Sequence, residues 1–208
     1  IDSVFQVNFN STTTDVSEDR TISSLEDLST DSVGPIKLVS VAGSLTIEGG
    51  SDGQGVSAAG NGDVLLKAAQ DVTINADMVS GSGNITLDAG NDLAVNASVT
   101  TGDTGTVYLT SGNATTIDSV LTTFSGDLLV DAGGNLTQNA AITSTAGDVG
   151  LIAGGSLDQA SSGDVTTGGD VLLEAGSDWT MSSGTEINAT GNVSGQALSG
   201  DLTLGLID

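Results

Sequence analysis

Seven glycines recur at intervals of 21 or 22 residues: Gly62, Gly83, Gly105, Gly126, Gly147, Gly169 and Gly191. Each opens a unit that runs Gly, Asp or Asn, apolar–x–apolar and often Ala-Gly, as in Gly83-Asn84-Ile85-Thr86-Leu87-Asp88-Ala89-Gly90 and Gly169-Asp170-Val171-Leu172-Leu173-Glu174-Ala175-Gly176. A repeat of this length defines a solenoid. Two residues and four residues after the glycine the side chain is aliphatic: Val64/Leu66, Ile85/Leu87, Val107/Leu109, Leu128/Val130, Val149/Leu151, Val171/Leu173. Alternation with period two is the mark of a strand with one buried face. A second alternating pair follows in each copy (Val72/Ile74, Leu93/Val95, Thr115/Ile117, Leu136/Gln138, Leu157/Gln159, Trp179/Met181). A third apolar point closes the unit at Val79, Val99, Leu121, Ile142, Val165 and Ile187.

None of these runs is long enough to bury a face alone. Three short strands per turn, stacked on the next turn, solve the problem and place equivalent residues about 4.8 Å apart. The expected fold is all-β, a right-handed parallel β-helix of about 21–22 residues per coil. The small residue and glycine that follow the first strand (Ala89-Gly90, Ala132-Gly133, Ala175-Gly176) predict a tight corner where backbones crowd or φ turns positive. No copy carries the Leu-x-x-Leu-x-Leu-x-x-Asn of a leucine-rich repeat. A transmembrane barrel needs aromatic girdles, and the chain is 2% aromatic.

Outside the regular copies the reading is by segment. Ser3 to Phe9 alternates through Phe5, Val7 and Phe9, and residues 17–28 have the apolar spacing of a short helix. Residues 1–34 are therefore expected to form an N-terminal strand and cap, and residues 35–208 the β-helix. A cap covers the open sheet edge at a solenoid's end. Gly43 reads as a further opening glycine, with Leu45 and Ile47 as its aliphatic pair, and the run Gly49 to Gly55 as a turn that breaks the pattern. Residues 201–208 remain strand-like, with Leu202, Leu204 and Leu206 alternating. Together with Phe5, Val7 and Phe9, these leucines are candidates for end-to-end assembly with another copy or an adjoining coil. The chain starts at Ile1 without methionine, which reads as a processed protein or a piece of a longer one.

Charge limits the partners. Three basic residues (Arg20, Lys37, Lys67) face 27 acidic ones, for a net charge of −24. Nucleic acid and anionic membranes, which are held by basic patches, are poor partners. No apolar run approaches the roughly 20 residues of a membrane-spanning helix. There is no cysteine, so disulfides contribute nothing.

The pattern Gly-Asp-Val-x-Leu-x-Ala-Gly-x-Asp/Ser-Leu, with Val-Thr-Thr or Ile-Thr-Ser before the next glycine, resembles the β-helical shafts of filamentous-haemagglutinin-like bacterial surface adhesins and exoproteins. The resemblance covers residues 43–208 and implies a long extracellular stalk serving adhesion, biofilm or matrix, with a host or matrix surface as a further partner. It transfers no site residue.

Candidate chemistry lies in the acids. The residue after each opening glycine is Asp63, Asn84, Thr106, Asp127, Asp148, Asp170 or Asn192, and a second polar column includes Asp71, Asp92, Asn135 and Asp178. Asp and Asn favour such turns because they bond nearby backbone. The competing reading is calcium at Asp63, Asp127, Asp148 and Asp170, bridging adjacent turns through carboxylate oxygens. With no His or Cys, most nucleophile–base pairs are excluded and no enzyme is expected. A polysaccharide-active β-helix enzyme, with Asp127, Asp148 and Asp170 along one groove, is a distant third reading. Threonine pairs such as Thr100-Thr101 and Thr122-Thr123 read as corners, and Asn-rich turns as amide ladders. The leading expectation is a structural or adhesive extracellular element, and the alternative is a subunit that self-assembles head to tail into a filament.

Overall fold

The computed structural model describes residues 28–30, 33–50 and 53–207. These form an all-β parallel solenoid of about seven turns, with three sheets and no helix among the described residues. One sheet holds the five-residue strands: Ile36–Ser40, Val64–Ala68, Ile85–Ala89, Val107–Ser111, Leu128–Ala132, Val149–Ala153, Val171–Ala175 and Val193–Ala197. A second, of short strands, runs from Leu45–Ile47 through Val72–Ile74 up to Trp179–Met181 and Leu202–Thr203. The third runs from Leu28–Thr30 and Gln54–Ala58 up to Glu186–Ala189 and Leu206–Ile207. Every pairing is between consecutive coils and parallel, so no strand bonds within its own coil.

The register reproduces the repeat. Val64 pairs with Ile85, Ile85 with Val107, Val107 with Leu128, Leu128 with Val149, Val149 with Val171 and Val171 with Val193. The inward columns are the aliphatic pairs of the sequence, and they merge into one core from Ile36 to Ile187. Each fully buried aliphatic contributes about 1.5–3 kcal/mol.

Three expectations are corrected. Gly43 does not open a coil: Leu45–Ile47 pairs with Val72–Ile74, whereas Ile36–Ser40 pairs with Val64–Ala68. Gly34 is the opening glycine of that coil, stacked under Gly62. The first coil is long because an insertion separates Leu45–Ile47 from Gln54–Ala58, and a register shift at Gln54/Val56 absorbs its end. The closing apolar residue of the next coil is Met78, which pairs with Val99 and is buried, while its neighbour Val79 points outward. Leu28–Thr30 is a strand paired with Gln54–Ala58, so the solenoid includes residues before 35. The cap, the Ser3–Phe9 strand and the rest of the proposed helix lie outside the described residues.

The glycines are required by crowding, and not by left-handed backbone. Among the described glycines, φ is positive at Gly53, Gly60 and Gly184, none of them an opening glycine. A Cβ built on Gly83, Gly105, Gly126 or Gly147 falls closer than 3.0 Å to the carbonyl oxygen of the glycine one coil below. The Ala-Gly corner has the same geometry, with Gly112 over Gly90 and Gly133 over Gly112.

Candidate functional site

The acidic column is a backbone clamp. Asp63 Oδ1 accepts the N–H of Asn84 at 2.8 Å, and Asn84 Oδ1 accepts that of Thr106 at 3.0 Å. Asp127 Oδ1 accepts Asp148 N–H at 2.9 Å, Asp148 Oδ1 accepts Asp170 N–H at 2.8 Å, and Asp170 Oδ1 accepts Asn192 N–H at 2.7 Å. Each side chain thus bonds upward to the next coil at a corner where the strand ladder has ended. Such bonds each add about 0.5–1.5 kcal/mol, more where the acceptor is ionised.

The second column does the same work. Asp71 Oδ1 accepts Asp92 N–H at 3.2 Å and Asn91 Nδ2 at 2.7 Å, and Asp92 Oδ1 accepts Ala114 N–H at 3.0 Å. The Asn91 amide, then the Asp92 N–H and Ser44 hydroxyl, hold the Asp71 carboxyl below the usual carboxylate range. Asn135 and Asp178 repeat the bond to Ser156 and Asp201. A third column escaped the sequence reading. Asp77 Oδ1 accepts Ser98 N–H at 3.0 Å, and Asp164 Oδ1 accepts Glu186 N–H at 2.9 Å. Its signal, an acid or Ser just before the third strand, is interrupted by Val120 and Ala141. Amide ladders are present as well, with Asn96 Nδ2 donating to Asn75 Oδ1 at 2.7 Å and Asn139 Nδ2 to Asp118 Oδ1 at 2.6 Å.

Of the four acids considered for calcium, the structure stacks Asp127, Asp148 and Asp170 in consecutive coils, and separates Asp63 from them by Asn84 and Thr106. Among the described residues no three His, Cys, Asp or Glu side chains form a group suited to a metal ion. One carboxylate oxygen of each stacked acid is already committed to backbone. The acids border a shallow groove of about 390 Å³ floored by Leu129, Gly150 and Leu172.

The Val-Thr-Thr motif also has a structural job. Its middle residue points outward: Thr100, Thr122, Thr143 and Thr166 form one column on the third sheet, which corrects the reading of Thr100, Thr122 and Thr166 as corner residues. Its last residue points inward, and its hydroxyl bonds an opening glycine's carbonyl: Thr101 to Gly105 O and Thr123 to Gly126 O, both at 2.6 Å, and Ser144 to Gly126 O at 3.0 Å.

Inside the core, Trp179 Nε1 donates to Gln159 Oε1 at 2.9 Å, and Gln159 Nε2 donates to Gln138 Oε1 at 2.8 Å. Gln138 Nε2 ends the chain on the carbonyls of Ala140 and Asp164. Trp179 and Met181 fill the core, as their inward positions predict.

Of the assembly candidates, Phe5, Val7 and Phe9 lie outside the described residues. Leu202 stands over Trp179 in the inward column but is 46% exposed, and Leu204 is 47% exposed. Leu206 pairs with Glu186. Among the described residues no helix is long and apolar enough to cross a membrane.

Comparison with protein-family models, with curated proteins and with solved structures finds no match.

Proposed function

We propose that this chain is a structural or adhesive β-helix element of an extracellular bacterial surface protein, a stalk or matrix component. The observation that carries it is the coil-on-coil strand pairing that continues from Val56 through the last described coil. Strand ladders and a single core link each coil to the next, and three interrupted polar columns and the inward Ser144 hydroxyl add further bonds between coils. Chemistry is spent on holding turns together, which is what a mechanical element needs. The resemblance of the repeat to adhesin shafts supports the same reading.

The test is antibody labelling of the intact cells that make the protein. Label on unpermeabilised cells is the expected result, and label that appears only after permeabilisation overturns the proposal. The exposed Leu198, Leu202 and Leu204 on the last described coil form an apolar surface that either a further coil or another copy would cover, and the second reading is that copies stack end to end. Sedimentation velocity at micromolar protein distinguishes it. A series of growing species supports the filament, and one species near 20.4 kDa removes it.

A further inference from the structure

We propose that the notch beside Phe124 binds a neutral sugar ring. Phe124 is 54% exposed, whereas Trp179 is buried and Tyr108 half-buried. Phe124 follows the last paired residues of its strand, Thr122 with Thr100 below and Thr123 with Ser144 above, and it is the one aromatic side chain that lines the concavity at this corner. The corner one coil below, from Thr101 to Gly105, is one residue longer than the corner from Thr123 to Gly126. The extra residue places Asp103 at φ 43°, the one non-glycine in the left-handed region among the described residues. Non-glycine residues held there are strained and gather at ligand clamps. The Asp103 carbonyl accepts the Ser125 N–H at 2.6 Å, which locks the two corners together. Between them lies a concavity of about 300 Å³ lined by Asp103, Thr122, Phe124 and Thr145 among others.

Unlike the acids of the three columns, the Asp103 carboxylate holds no backbone N–H, and the Thr122 and Thr145 hydroxyls have no partner among the described residues. The notch therefore offers an apolar ring face with a free acceptor and two free hydroxyls beside it. A pyranose matches this: its C–H face covers the phenyl ring while its hydroxyls bond the carboxylate and threonines. A purely apolar occupant would leave those polar groups dry and unpaired. Anionic sugars are excluded, because no Lys or Arg lines the notch and the chain carries −24. The volume lies at the small end for ligand sites, enough for one ring. A one-ring contact of this kind has a Kd of about 1 mM.

The experiment is saturation-transfer NMR with methyl glucoside, methyl galactoside and N-acetylglucosamine, each at about 10 mM. Transfer to the ring protons of at least one sugar is expected. Phe124→Ala abolishes it, and Asp103→Gly, which accepts the same φ, lowers it about threefold or more while the melting temperature holds. No transfer to any of the three, or transfer unchanged in Asp103→Gly, overturns the proposal. If Phe124→Ala fails to fold, Asp103→Gly decides alone. The side chains that would meet the sugar, those of Asp103, Thr122, Phe124 and Thr145, make none of the coil-to-coil bonds that carry the stalk reading, so a surface-displayed chain without transfer loses the sugar site and keeps the stalk.

Discussion

At Gly126 the whole logic of the coil is visible in one missing methyl group. Its would-be Cβ meets main-chain atoms of Gly105 and Thr104, which cannot move without parting two coils. Its own carbonyl takes hydroxyls from Thr123 and Ser144. Gly126→Ala should cost about 2–4 kcal/mol, among the larger single-substitution losses, and lower the melting temperature by several degrees. Gly150→Ala is the control. Its Cβ would meet only the Leu129 Cδ1 at 2.9 Å, a side-chain end that can swing aside, and the expected loss is under about 1 kcal/mol. Thermal melts of the two variants check this, and equal losses would mean that crowding between coils is not what selects the glycine. The identity of these glycines was legible in the sequence. Their reason was not, because crowding depends on which coil lies beneath.

At the scale of the element, the last long strand departs from its column. Val193–Ala197 carries Gly195 where the strands below carry Leu66, Leu87, Leu109, Val130, Leu151 and Leu173. The space is taken by the Trp179 ring, whose carbons sit where a Gly195 side chain would go. Trp179→Leu removes that filling and orphans Gln159 Oε1, for a loss of about 3–4 kcal/mol. Gly195→Leu overpacks the same site and costs about 1–3 kcal/mol. The double variant should recover at least 1 kcal/mol relative to the sum, since leucine then fills the space the indole left. It should not recover everything, because the glutamine acceptor stays unpaired. Denaturant unfolding of the three variants measures the coupling, and strict additivity would refute it. A glycine in an inward strand position cannot be explained from its own coil, and the residue that explains it is sixteen positions earlier.

For the molecule as a whole, charge opposes compactness. A net charge of −24 has one ion pair against it among the described residues, between Lys67 and Asp88. Repulsion of this kind is screened within about 10 Å at 0.1 M salt. Raising sodium chloride from about 10 mM to 150 mM should therefore raise the melting temperature. Calcium should add no more than magnesium at equal ionic strength, because the stacked acids already serve the backbone. A calcium-specific rise in the melt would reassign Asp127, Asp148 and Asp170 as a metal column.

The sequence by itself determined the solenoid, its period, its two principal inward strand pairs and two of its polar columns. These recur in most copies, and repetition turns a weak local preference into a pattern. Only the tertiary structure decided where the first coil begins, that Met78 and not Val79 faces inward, and that a third polar column exists. Each depends on register between coils, which one insertion or one bulge shifts without changing local composition. The exposed Phe124 and the strained Asp103 belong to the same class. They lie 21 residues apart in the chain, and only the stacking of coils makes them neighbours.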